Sequence, residues 1–394
     1  MKKLDLQAIR EDFQQSDIKI YFNSGLVGFP AKSVFQKTTE FYQQLHFKSE
    51  SEYFQIFGEM EALWQETAPQ FINCSPEEII GLPNTTTGMN YITTAIPWRP
   101  GDNVVISELE FVSQHIAFHH FKENFGFEIR VAKRDGWRIP LENVTSLIDE
   151  RTRLVALSYV SFVNGFRHNI AAIAEAAHQK GAWVAIDAIQ ALGPLKVDVK
   201  ALDVDFLVSG NSKWLMSLPG WGVMYVRKEI ISQLRRPVAG FLSLENQQEA
   251  IDDWSDGPVF VKPYEITNSR IDKFRLSTEN IMGKLSLLYS MKNFMRLGQE
   301  TIERHVLELS GYLMERLQEK GHELRSVQAL QHRSAIVSFL PRREPENFLQ
   351  KMERRNIYFC RRGGGYRISL HVFNTFEEID RCIDAIEQII SSRT

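Results

Sequence analysis

The run IAAIAEAAHQKGAWVAID, residues 170–187, decides the class of fold. Its first part is alanine-rich and helix-forming, with Asn169 placed to cap the start and Gly181 to stop the end. AWVAI (182–186) then reads as a short strand, apolar on both faces, as a parallel strand between two helix layers must be. The same rhythm extends outward. NVVIS (103–107) follows the turn Pro100-Gly101-Asp102, RLVALSYV (153–160) is another strand, and DFLVS (205–209) comes after. Strands alternating with helices predict an α/β fold with a mostly parallel, doubly wound central sheet. In such sheets ligands sit beyond the carboxyl ends of the strands.

The two ends of the chain differ from this middle. Leu6, Ile9 and Phe13 share a helical face, and IKIYF (18–22) reads as a strand. After about residue 265 come longer helices and isolated strands, among them YRISLHVF (366–373). Thr375 and Glu378 form a capping box, and Ile379, Ile383, Ile386 and Ile390 make the buried stripe of a final helix, with Cys382 on the same face. The expected organisation is a large domain over 16–264 and a smaller α+β domain built from 1–15 and 265–394.

The bulk numbers exclude several classes. The chain has 394 residues, 43% hydrophobic and 24% charged, with a formal net charge of −3, so no general field attracts nucleic acid or anionic lipid. No apolar run reaches the ~18 residues of a membrane span, and MKKLDLQAIREDFQQ is broken by charge at once, unlike a secretory signal. Cys74, Cys360 and Cys382 are odd in number and form no metal-type cluster, which fits a reducing cytoplasm.

Two residues at strand ends point to chemistry. Asp187 follows WVAI directly, and Lys213 follows DFLVS within VSGNSKWLMSLPGWGVMYV (208–226). A surface turn would explain the lysine alone, and a helix cap the aspartate alone. Together they are the pair a pyridoxal phosphate enzyme requires: a lysine for the Schiff base and a carboxylate that keeps the pyridine nitrogen protonated. NTTTGMNYITTAI (84–96) supplies hydroxyls at a helix start, a cradle suited to a phosphate.

These stretches, with AIDAIQALG, LSYVSFVNG and YRISLHVFNTFEEID, resemble the class V aminotransferase family of fold-type I pyridoxal phosphate enzymes. That family includes cysteine desulfurases, selenocysteine lyases, kynureninases and isopenicillin N epimerase. The resemblance runs over nearly the whole chain, and SYVSFVNG with GNSKW is nearest the epimerase-like branch. It implies that Lys213 carries the cofactor and moves the Cα proton, Asp187 pairs with the pyridine nitrogen, and Gln190 with the phenolic oxygen. Thr85, Thr86 and Ser212 would hold the phosphate, and Phe111 would stack on the ring where a histidine is usual. Thr278 would reach the partner subunit's phosphate, making a homodimer with shared sites. Arg367 would clamp the carboxylate of an amino acid substrate, with Asn23 beside it. Ser212 before the lysine, Ile189 below the ring and Phe162 for an asparagine are departures from the desulfurase pattern.

The function this implies is an aminotransferase-like or lyase activity at the Cα of an amino acid, in the epimerase-like branch, with cysteine desulfurase or selenocysteine lyase as the alternative. A non-catalytic cofactor-binding partner protein is the alternative of another class. A nicotinamide dehydrogenase is excluded, because the one dense glycine run, RRGGGYR (361–367), opens no helix. A desulfurase carries its thiol on a mobile loop ahead of the carboxylate clamp. Cys360 ends the strand pattern NIYFC and is joined to Arg367 by RRGGGY alone, so Cys360 is not expected to accept sulfur.

Overall fold

A computed structural model describes residues 4–15, 19–45, 49–256 and 262–392. Ile18, where the expected strand IKIYF begins, and residue 16, the expected start of the large domain, lie outside them. Within the described residues the strands, in chain order, are β1 (Ile20–Tyr21), β2 (Ile79–Leu82), β3 (Asn103–Ser107), β4 (Glu128–Ala132), β5 (Thr152–Ser158) and β6 (Trp183–Asp187). They continue with β7 (Phe206–Gly210), β8 (Gly222–Val226), β9 (Glu323–Leu324), β10 (Ile336–Leu340), β11 (Ile357–Tyr358), β12 (Cys360–Arg362) and β13 (Gly365–Ser369).

The central sheet has the order β2-β8-β7-β6-β5-β3-β4. From β4 across to β7 every pairing is parallel, while β8 and β2 close one side antiparallel. The expected mostly parallel α/β sheet is therefore present. Val184, Ala185 and Ile186 are wholly buried, since helices cover both faces of β6. Helix Ile170–His178 forms for local reasons. The Asn169 side chain accepts from Ala172 N at 3.4 Å, and Gly181 takes a left-handed φ of +75° that ends the run.

A second sheet, antiparallel in the order β12-β13-β10-β9, is built by the C-terminal third of the chain, and β1 runs parallel to β11 beside it. The expected strand 366–373 stops at Ser369. Asn374 accepts from His371 N at 2.7 Å and donates its own N–H to His371 O at 3.0 Å, which turns the chain away. Helix Phe376–Ser391 starts in the expected Thr375–Glu378 capping box and buries Ile379, Cys382, Ile383, Ile386 and Ile390. Each buried isoleucine contributes roughly 1.5–3 kcal/mol before entropy is subtracted. Among the described residues no helix is long and apolar enough to cross a membrane.

Candidate active site

The carboxyl ends of β3, β5, β6 and β7 gather the candidate residues on one edge of the central sheet. Asp187 ends β6, with Ser158 of β5 and Val208 of β7 as its register neighbours. It is 3% exposed and accepts from Ile189 N at 2.9 Å. Burial pushes its carboxyl up to about 6, against the pull of that N–H and of the Lys213 charge.

Lys213 stands three residues past β7, and the surface-turn reading fails for it. Burial draws its amine down to about 8; Asp187 opposes this, while Arg367 and Arg362 add to it. The amine lies 5.7 Å from the centroid of the Phe111 ring and makes no hydrogen bond among the described residues. The backbone beneath it is clamped by the N-terminal loop, where Gly28 N donates to Ser212 O at 2.9 Å. A Cβ at Gly28 would come within 1.8 Å of Lys213 O, so only glycine allows this approach.

The helix Thr85–Ala95 begins beside this lysine. Asn84 caps it by accepting from Thr87 N at 2.9 Å, and Thr85 Oγ1 accepts from Gly210 N at 2.8 Å, tying helix to β7. Thr86 is exposed at the same helix start and Ser212 is partly buried. The first N–H groups and Thr86 together offer an anion the donors it needs.

Arg367 comes from the other sheet. It is 1% exposed, and one guanidinium nitrogen donates to Phe162 O at 2.6 Å. Among the described residues its Nε and Nη2 have no hydrogen-bond partner, nor do the nearby Ser369 Oγ and Asn23 Oδ1. Burial lowers its pKa; Cys360, directly across the hairpin, opposes this and Arg362 adds to it. A buried guanidinium with two open N–H groups and no carboxylate is poised for an incoming anion. Gly25 leaves the room: a Cβ there would stand 2.7 Å from Ser369 Oγ and 3.3 Å from both Arg367 Nη2 and Gln190 Oε1.

The remaining residues are more mixed. Gln190 is engaged at both ends, accepting from Trp214 Nε1 at 2.7 Å and donating to Gly25 O at 3.2 Å, so one of its N–H bonds is free for a ligand. Phe111 is 42% exposed and meets Phe162 edge-on at 5.2 Å. Thr278 is exposed and shares no hydrogen bond with this cluster.

Glu110 escapes the sequence reading, although it too follows a strand end, that of β3. It is buried and accepts from Ser107 Oγ at 2.6 Å and from Ser158 N at 2.8 Å. Burial pushes its carboxyl up to about 7 against those donors, and Asp187 adds to the push. The cluster therefore fits a cofactor with a ring nitrogen at Asp187, a carbonyl at Lys213 and a phosphate at Thr85–Thr87, with Arg367 left for a second anion.

The comparisons with known proteins agree. The family model "Aminotransferase class-V" matches residues 29–382. A cysteine desulfurase of Cronobacter sakazakii is 29% identical over 336 residues, 79% of this chain and 77% of that protein. A probable cysteine desulfurase of Pyrococcus abyssi is 23% identical over 98% of this chain and 97% of its own length. The apo structure of the cysteine desulfurase from Thermococcus onnurineus NA1 superposes with a TM-score of 0.88, at 23% identity and 99% coverage of both chains. With 29–382 embracing Asp187, Lys213 and Arg367, the chain belongs to the class-V aminotransferase family.

Proposed function

We propose that this protein is a pyridoxal phosphate-dependent enzyme that cleaves the carbon–sulfur bond of a cysteine-type amino acid. The expectation of an aminotransferase-like or lyase activity is sharpened here toward its desulfurase alternative in the sense of carbon–sulfur cleavage, with sulfur leaving without Cys360 as acceptor, because the relatives reported above are cysteine desulfurases. The observation that carries the reading is the meeting of buried Asp187, an unbonded Lys213 amine and an Arg367 with open donors.

When bound, the cofactor supplies an electron sink that weakens the bonds at the substrate Cα. The protein's part is to hold and to move protons. Asp187 would keep the pyridine nitrogen protonated from the end of β6, and the free Gln190 N–H would face the phenolic oxygen. Thr85, Thr86 and Ser212 would hold the phosphate, with Phe111 over the ring. Thr278, exposed in this chain, would serve the partner subunit in a homodimer. Lys213, with an amine drawn to about 8, has an appreciable neutral fraction near neutral pH and can carry the Cα proton. Arg367 would bind the α-carboxylate, with Asn23 beside it. The two-domain organisation belongs to the same proposal: the Arg10–Glu378 ion pair at 2.6 Å supports a small domain drawn from both chain ends, while the pairing of β1 with β11 draws residues 20–21 to it as well, past the expected boundary at residue 16.

The test is product analysis. Purified protein loaded with the cofactor is given L-cysteine, L-cystine and sulfur-free amino acids, and sulfide, ammonia and keto acids are measured. Sulfur release from the sulfur amino acids is the expected result. Keto acid formation from many amino acids, without sulfur release, would return the aminotransferase reading.

A further inference from the structure

The hairpin that delivers Arg367 carries another cation that the reading above leaves without a task. In β12–β13 the register sets Cys360 opposite Arg367, Arg361 opposite Tyr366 and Arg362 opposite Gly365. Directly opposed residues share a sheet face and neighbours along a strand alternate. Arg362 therefore lies on the face of Cys360 and Arg367, and Arg361 on the other. The contacts of Arg361 agree, for it pairs with Glu344 at 3.0 Å and lies over the Tyr366 ring at 5.5 Å.

Arg362 has no such arrangement. It is partly buried, its one hydrogen bond runs to the Arg361 carbonyl at 2.9 Å, and among the described residues no carboxylate pairs with it. On the face the register gives it, its charge is near enough to act on both Lys213 and Arg367. The turn after it is pressed against the loop that holds Arg367: a Cβ at Gly363 would meet Val163 Cγ1 at 2.3 Å, next to the Phe162 carbonyl. This closeness keeps the turn after Arg362 beside the loop that holds Arg367. Three cations thus converge where the α-carboxylate of an amino acid accounts for one, Arg367, and the cofactor for another, Lys213.

We infer that Arg362 is a specificity residue, which selects α-amino acids whose side chain ends in a second oxyanion of the carboxylate class. A thioether or disulfide substrate with a carboxylate at its far end satisfies this, as does a dicarboxylic amino acid. The inference rests on the proposed function only in taking Arg367 as the α-carboxylate site. It does not depend on which bond is broken.

The experiment is a binding comparison that needs no turnover. Holoenzyme is titrated calorimetrically with succinate and with succinamate, its isosteric mono-amide. Succinate is expected to bind about tenfold more tightly or better, the worth of one charge-assisted contact. Arg362→Gln should erase the preference and leave succinamate binding in place, while Arg362→Lys keeps part of it. Equal affinities in the unaltered protein overturn the inference, as a carboxylate donated to Arg362 by a partner subunit would bring about. So does a preference that survives in Arg362→Gln. Sulfur release from cysteine, which tests the proposed function, does not enter either measurement.

Discussion

Lys213 and Lys273 are both drawn below the usual range of an amine, in opposite surroundings. Burial draws both amines down to about 8. Lys273 is fully buried, yet it donates to Ile231 O and Leu234 O at 2.8 Å and to Asn268 O at 2.7 Å, a complete set of acceptors that fastens the end of helix Lys228–Ile231 and its turn to the loop at Asn268. Among the described residues Lys213 makes no hydrogen bond, and it lies near an aromatic ring, a carboxylate and two arginines. A depressed lysine therefore does not mark a reactive site by itself. The distinguishing property is an amine that folding has desolvated and left unbonded.

The sharpest way to break that contrast is to remove each amine in turn. Lys213→Met should abolish turnover, by more than about a thousandfold, and should remove the visible absorption of lysine-bound cofactor. Melting of the cofactor-free protein should stay unchanged or rise, because an unbonded amine is lost. Lys273→Met should do the reverse, costing about 2–4 kcal/mol of stability through stranded carbonyls with activity per folded molecule preserved. Normal turnover in Lys213→Met, followed by substrate assay and spectrum, would end the functional reading.

Arg367 extends the same logic to the substrate. Arg367→Ala should weaken amino-acid binding by about 2–5 kcal/mol, with a smaller stability loss of about 1–3 kcal/mol from the stranded Phe162 carbonyl. Unchanged affinity with stability lost instead would make it a structural arginine.

Acid–base linkage tests the third cluster. The folded-state pKa of Glu110 is raised from 4.5 to about 7 and that of Asp187 from 3.8 to about 6. Stability from a raised pKa is fully present below the unfolded value and is lost as pH rises through the folded one. Melting temperature of the cofactor-free protein should therefore fall between about pH 4 and pH 7, and Glu110→Gln should flatten much of that slope. An unchanged slope would mean that Glu110 is ionised throughout.

The smallest effect is expected at Cys360. It sits 8% exposed in a three-residue strand closed by the Gly363–Gly364 turn, with φ of +55° and +78°, so its thiol is fixed beside Arg367. Cys360→Ser should keep most of the activity, and mass spectrometry should find no persulfide at this position after exposure to cysteine. A persulfide there, with activity lost in the serine variant, would make Cys360 the sulfur acceptor.

Legibility in the sequence followed the range of the interactions involved. The inner parallel strands β3, β5, β6 and β7 were readable because burial on both faces leaves their centres apolar, whereas the edge strand β4, with Glu128 and Arg130, was not; Asn169, Gly181 and Thr375 marked helix ends through contacts a few residues away. Asp187 and Lys213 were readable as strand-end residues of one sheet. Glu110 was hidden because Ser158, which with nearby Ser107 holds its carboxyl, lies 48 positions away on β5 and is close only after folding. The double engagement of Gln190 depends on Gly25, 165 positions away. The face of Arg362 needs the register of a three-residue strand, too short for any alternation to be read.

Between Ile20 and Gly28 the chain touches the C-terminal strands at β11, bridges Ser369 from Asn23, and seats Gly28 N on Ser212 O. These contacts are made by backbone, and together they act as a ruler between the residue that is to grip the substrate and the one that is to react with it. A ruler is spoiled by a change in length more than by a change in composition. One residue inserted between Asn23 and Gly28 displaces the Gly28–Ser212 contact by a full step of chain, about 3.3 Å, whereas the exposed side chains of Leu26 and Val27 can change without moving either end.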